Sequence, residues 1–435
     1  MPLNFSTVEN FVTDNKERMK DKALLRHERY GILSKLRDKL QTSLDDYVRF
    51  ENELSSLVVD KIDNAKTYEE LLVCHKRAVG GIEKYFFEED TIVDVHDLFR
   101  IVRDGIAIRV LKLTEEEMER EGYGYPPVNF VWVGLGSEGR DEQTLMTDQD
   151  NMLLYGEEKG PFGTELLRKK CYERYRVSDG WDSIQKMTEK HVLDYYFEIF
   201  STKIVERLHE VGFEKCKGGV MPSNQKWRGS IMDFQERLTQ RIIYEQGIFE
   251  SLDIIILTDA RPIYGDKNLL SNFLRGFFKT LTDNKSVMKD FYQSAVLMPT
   301  ALSFFGNFKT EKAGEHKDMI NIKLLGWAPL ILAVRMVAIT NEIFETNTLK
   351  RIRLLRKNNV IRKEMETDLV DAYLIFVKFR LQIQIDNKDG SQVDMNYLYP
   401  ANLSEDDQGK LRRAMRTVES FQKFIQERLL FGQPI

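Results

Sequence analysis

Apolar residues recur at four-residue steps early in the chain. Ile32, Leu36, Leu40, Leu44 and Val48 form one stripe, and charged residues fill the other faces. This spacing predicts one long amphipathic helix, or a helical pair, between Asn15 and Ala65. Helical spacing continues through residue 121, with a break expected at Gly80-Gly81. The segment "GYGYPP", Gly122 to Pro127, ends it. The texture then changes. "VNFVWVG", "NMLLYG" and "LDIIILTD" read as three buried strands, with helices between them, notably Val192 to Gly212. From Leu269 the chain is helical again. The expected fold class is α+β. A helical region over 1–120 and a helical bundle over 269–435 flank a small mixed-sheet domain over 121–268.

Composition narrows the setting. The 435 residues are 42% hydrophobic and 31% charged, enough for sizeable cores in two or three domains. A net charge of -5 gives no general attraction for membranes, and makes nucleic acid an unlikely partner. Cys74, Cys171 and Cys216 are far apart without metal-ligand spacing, which fits reduced thiols in a cytoplasmic protein. The N-terminus lacks the apolar core of a signal peptide, and no apolar run suggests a membrane span.

The chemistry concentrates in "FVWVGLGSEGRDEQTLMTDQDNMLLY", Phe130 to Tyr155. From Gly134 it spells G-x-G-x-x-G, a dinucleotide fingerprint. From Gly136 it spells Gly-Ser, a spacer, then Asp-x-Asp. The first reading needs a full crossover helix before the acidic residue. Asp148 and Asp150 instead arrive roughly ten residues after Gly139, and "GRDEQTLMT" has almost no apolar stripe. The second reading fits. Gly136 permits a tight turn, and Ser137 follows at a helix N-terminus that can hold phosphate oxygens. Arg140 lies one turn on and can reach a terminal phosphate. Two residues apart on a strand, Asp148 and Asp150 point the same way, as hard oxygen ligands for Mg²⁺ beside phosphate. Solvated surface acids would explain each residue but not the joint spacing.

This pattern resembles the DNA-polymerase-β-like nucleotidyltransferase superfamily. The fuller string "GSEGRDEQTLMTDQDN" is similar to the DUF294 family, whose relatives include the uridylyltransferase of the PII protein and the adenylyltransferase of glutamine synthetase. "CKGGVMPSNQKWRGS" and "LTDARPIYGD" resemble that family's second and third blocks. The helical C-terminal region, "INIKLLGWAPLILAVRMVAI" through "NYLYPANLS", resembles its substrate-binding domain. The family's Asp-x-Lys reads Asn321-Ile322-Lys323 here.

The resemblance implies in-line attack on the α-phosphorus of a nucleoside triphosphate, with pyrophosphate leaving. Two Mg²⁺ (or Mn²⁺) ions about 3.5–4 Å apart would serve it. Asp148 and Asp150 would hold both. Asp259 matches the third carboxylate of the superfamily, with Asp253 as the alternative. Gly136, Ser137, Gly139, Arg140 and Lys226 would bind nucleotide, and Trp227 could pack near the base. Lys323 and Arg335 could hold acceptor or phosphate. Arg261 could pair with a carboxylate or with triphosphate. The acceptor is expected to be a protein hydroxyl or a small molecule, and the N-terminal helix offers a homodimer surface. A regulatory nucleotide-binding module is the alternative function.

Overall fold

Two helices open the chain, α1 (Phe5–Lys20) and α2 (Arg26–Ser56), so the N-terminal stripe resolves as the helical pair. In this computed structural model the described residues are 5–21, 23–89, 93–157, 160–180, 182–245, 248–387 and 395–430. On α2 only part of the stripe is covered. Ile32 is buried, whereas Leu33, Leu44 and Val48 are exposed. Next come α3 (Tyr68–Glu89) and α4 (Val93–Arg120). The break expected at Gly80-Gly81 does not occur, because α3 runs straight through both glycines. Ala78, Ile82 and Phe86 keep a buried stripe across them. That packing outweighs the cost of about 1 kcal/mol per helical glycine.

After the turn at residues 121–127 the chain forms β1 (Phe130–Gly134), the single-turn α5 (Gly136–Gly139), β2 (Asp148–Gln149) and β3 (Asn151–Tyr155). Then follow α6 (Glu165–Ser178), α7 (Glu189–Glu210), β4 (Glu214–Lys215), β5 (Arg228–Ser230) and α8 (Ile231–Ile242). The run "LDIIILTD", expected as a strand, is instead helix α9 (Ser251–Leu257) and a turn. A short buried apolar run does not distinguish helix from strand. Its start decides: Glu250 N–H donates to the Asp253 carboxylate at 2.6 Å in a capping box. The third strand lies just beyond, as β6 (Arg261–Gly265).

The main sheet has the order β5-β3-β1-β6. β1 pairs antiparallel with β3 and β6, and β3 pairs parallel with β5. Side chains alternate between two cores. Phe130, Trp132, Leu153 and Tyr155 join α3, α4 and α7 on one face, while Val131, Val133, Met152 and Leu154 join the α8–α10 side. This mixed sheet with helices on both faces is an α+β arrangement.

The remainder is α10 (Lys267–Asp283), α11 (Lys285–Leu297), β7 (Ile320–Asn321), α12 (Ala328–Thr340), α13 (Thr348–Lys357), α14 (Lys363–Asp386), β8 (Tyr397–Leu398) and α15 (Glu405–Leu430). A π-helical turn over Lys323–Trp327 leads into α12. The run Lys323–Thr340 has the length and composition to cross a membrane, contrary to the sequence reading, but 67% of it is buried inside the fold. It is the central helix of the C-terminal core.

Candidate active site

The site begins where β1 ends. Gly134 is paired with Asn151 of β3, and Leu135 N–H donates to the Asp150 carbonyl at 2.7 Å. Gly136 then takes φ +53°, and a methyl group on it would lie 2.6 Å from Asp150 Oδ2. Glycine is therefore demanded both by the backbone and by the carboxylate against it. The amides of Gly136, Ser137 and Glu138 open α5 and have no acceptor within the helix. Ser137 is half-buried, and its hydroxyl makes no hydrogen bond among the described residues. Gly139 closes the turn, where a Cβ would come 1.9 Å from the Asp259 carbonyl oxygen.

Around Asp148 the side chains alternate. Gln149 enters the core, where its Nε2 donates to the carbonyls of Val205 at 3.1 Å and Phe213 at 3.0 Å. Asp148 is exposed and Asp150, just after β2, is half-buried; the charge of the first acts on the second. Asp150 is pushed up to about 6, chiefly by burial and further by the Asp148 charge; the Cys216 thiol, Lys323 and Arg140 oppose the rise. Cys216 itself is pushed up to about 11 by burial and by Asp150, so it remains a thiol donating to that carboxylate. The half-buried Cys216 was not singled out by the sequence.

The segment after α5 has little structure of its own and is fastened from three directions. From α4, His96 bonds the Gln143 carbonyl at 2.7 Å, and Arg103 donates to Thr144 and Leu145 carbonyls at 2.7 and 2.8 Å. From the start of α13, Asn347 donates to the Arg140 carbonyl at 2.9 Å, and Thr348 N–H donates to Glu142 at 2.7 Å. From α14, Gln384 accepts the Met146 amide at 3.3 Å.

Arg140 does not face the turn's open side. Its Nε meets Glu142 at 2.7 Å and its Nη1 meets Asp259 at 2.6 Å. Arg335 also donates to Asp259, and Arg351 does so at 3.3 Å. Burial alone would raise Asp259, but Arg335, Arg140 and Arg351 hold it below the usual carboxylate range. This corrects the expectation for Asp259 as third metal ligand: it is 0% exposed and its oxygens are taken by guanidinium groups. The roles expected of Arg140 and Arg335 shift likewise, from phosphate or acceptor contact to an ion cluster joining the two domains. The sequence missed its other members: Glu142, beside its partner Arg140 in a segment with no periodic pattern, and Arg351, whose partner Asp259 is 92 residues away. Arg351 carried one signal, a cation in register with the apolar Ile352 and Leu355 of α13.

The alternative third acid, Asp253, pairs with Lys226 at 2.5 Å. Lys226, expected on triphosphate, is thereby engaged elsewhere, and Trp227 is buried against Phe249 rather than open to a base. Arg261 pairs bidentately with Asp104, at 2.7 and 2.9 Å. Glu138 is buried beside this pair and accepts from Asn151 at 2.6 Å. Burial, with Asp104, pushes Glu138 up to about 8. Lys323 is exposed and its charge is felt at Asp150.

The donor set can be tested against a metal. Asp148 and Asp150 supply hard oxygens, enough for one Mg²⁺ that takes its remaining ligands from phosphate and water. Among the described residues no three metal-ligating side chains converge, so a second ion lacks a third protein ligand.

Comparison with known families now bears on the turn and its acids. Residues 80–176 and 182–247 match the family described as "Putative nucleotidyltransferase DUF294", and residues 285–429 match "Putative nucleotidyltransferase substrate binding domain". The chain belongs to the DUF294 family. No curated protein matches the chain. In this DUF294 protein the Gly-Ser turn, Asp148 and Asp150 fall in the first match, and Lys323, Arg335 and Arg351 in the second. Asp259 lies between the two. At the level of the family, the chain is a transferase of the nucleotidyltransferase kind.

Proposed function

We propose that this DUF294 protein moves a nucleoside monophosphate from a nucleoside triphosphate to an acceptor hydroxyl. The acceptor hydroxyl gives up its proton to water as its oxygen bonds to the α-phosphorus, the bond from that phosphorus to the oxygen bridging to the β-phosphate breaks, and pyrophosphate leaves. The observation that carries this reading is the Asp150 carboxylate held against Gly136, with the Asp148 charge acting on it. Asp148 and Asp150 would hold Mg²⁺ or Mn²⁺, which supplies charge neutralisation for the triphosphate. The free amides of Gly136 and Ser137, with the Ser137 hydroxyl, bind phosphate oxygens and orient the α-phosphorus. Lys323 adds positive charge beside them. Gln149, anchored in the core, fixes the backbone between the two acids.

The acceptor is a protein hydroxyl or a small molecule, and the protein acts in the cytoplasm, where its three free thiols stay reduced. The exposed Leu33, Leu44 and Val48 of α2 suit pairing with a second copy, read by light scattering. The catalytic test is incubation with each labelled triphosphate and Mg²⁺ or Mn²⁺. Label transfer with pyrophosphate release is expected; neither product with any triphosphate or acceptor would sink the reading. One observation favours a second reading, a regulatory nucleotide-binding module. Asp259, the matched third acid, is consumed by arginines. Nucleotide binding without turnover, with unchanged biology in Asp148→Asn and Asp150→Asn, would select it.

A further inference from the structure

The buried ion cluster is out of balance. Arg140, Arg335, Arg351 and Arg380 are all buried, and among the described residues they share two carboxylates, Asp259 and Glu142. Arg140, Arg335 and Arg351 are ion-paired with them, whereas Arg380 of α14 has no ion pair among the described residues. Arg380 is 6% exposed and makes no hydrogen bond among the described residues. Its Nε is sealed and unpaired, while its two Nη atoms, equally unpaired, retain accessible surface. Arg335 spends Nη2 on Asp259 and leaves Nε unpaired. The Tyr373 hydroxyl is buried on the same face of α14, also without a partner.

Such a group of unpaired donors is costly unless something else pairs with it, because buried charges require counter-charges. The geometry leaves the donors available. Arg380 stacks its guanidinium over the Trp327 ring at 5.2 Å, which occupies its face and leaves its edge free. Burial, with the nearby Arg140 charge, lowers Arg380 to about 10. The cluster also borders the proposed catalytic turn. Arg140 follows α5 directly, and its charge and that of Lys323 are both felt at Asp150.

We infer that Arg380 and Tyr373, whose charges act on each other, form a binding site for a phosphate anion, which receives the terminal phosphates of the triphosphate and then the pyrophosphate. The inference rests on the nucleotidyl-transfer reading for the identity of the ligand, but the anion site itself does not. A planar edge of N–H donors, a hydroxyl and an uncompensated positive charge match a phosphate group. The C-terminal domain would thereby hold the leaving group while the Asp148–Asp150 strand positions the α-phosphorus.

The test is calorimetric titration and thermal melting of the full chain in EDTA, with pyrophosphate, inorganic phosphate, AMP and ATP. Pyrophosphate and ATP are expected to bind without metal and to raise the melting temperature, with AMP and phosphate far weaker. Arg380→Gln should weaken pyrophosphate binding about 10- to 100-fold, the range for a charged hydrogen-bond partner. Without ligand it should melt at or above the native temperature, because it removes an uncompensated charge. Tyr373→Phe, which deletes one oxygen, should weaken binding about 3- to 10-fold. Absence of pyrophosphate binding by the native protein overturns the inference. So does unchanged binding by Arg380→Gln, or a variant that melts far lower or fails to fold, since Arg380 would then be a structural strut. Equal binding of AMP, phosphate and pyrophosphate overturns the assignment to terminal phosphates and gives the site to a monophosphate group on the acceptor. Pyrophosphate binding without transfer sinks the catalytic reading and leaves the anion site standing.

Discussion

Asp150 and Asp259 are both acids of the motifs read from the sequence, yet they live in opposite environments. Asp150 is pushed up to about 6 by burial and by Asp148, with only a thiol bonded to it and cations at a distance. Asp259 is held down by three guanidinium groups around it. The first has no counter-charge bonded to it; the second already has its counter-charges. Perturbation upward marks an unsatisfied site, whereas depression inside a closed cluster marks a structural one. The same contrast separates the two cationic groups: Arg351 is committed to Asp259, while Arg380 is committed to nothing but a ring face.

That contrast can be broken by substitution. Asp150→Asn is expected to lower transfer about 10³-fold or more, equivalent to roughly 4 kcal/mol of transition-state stabilisation. The same variant should melt no lower than the native protein in EDTA, since its burial cost is relieved. Asp259→Asn should do the reverse. It strands three buried arginines, so denaturant titration should report a loss of about 3 kcal/mol or more. If Asp259→Asn instead kept full stability and lost only transfer, the division between working and structural acid would collapse.

Glu138 sharpens the comparison by pH. Burial, with Asp104, raises it from an ordinary 4.5 to about 8 in the folded state. Between those values the folded state binds the extra proton, so its contribution to stability falls as pH rises from about 4.5 to 8. Glu138→Gln keeps an oxygen for Asn151 and removes the titration. It should therefore flatten that slope and, at pH 8 or above, stabilise the protein by about 2 kcal/mol. A native-like slope in the variant would contradict the assignment.

Much of the fold could be read from the chain. The runs at Phe130–Gly134 and Asn151–Tyr155 are strands, and the Gly136 turn between them has the left-handed backbone its glycine suggested. "LDIIILTD" misled because hydrophobicity alone does not set period over so few residues; the Glu250 and Asp253 capping pair held the missing information. The site was less legible. The placement of Asp150 against Gly136 follows from local pairing, which short-range sequence can imply. The capture of Asp259 by Arg335 and Arg351 depends on contacts 76 and 92 residues away in sequence, and that of Lys226 by Asp253 on a helix start. No spacing rule reaches such partners.

On the proposed nucleotidyl transfer, Asp148, Asp150 and the Gly136-Ser137 turn together receive a metal-chelated triphosphate. The most direct measurement is calorimetric titration of a non-hydrolysable triphosphate, with and without Mg²⁺, into the native protein and Asp150→Asn. Mg²⁺ is expected to tighten binding about 10-fold or more in the native protein and not in the variant. Equal metal enhancement in both proteins would contradict it.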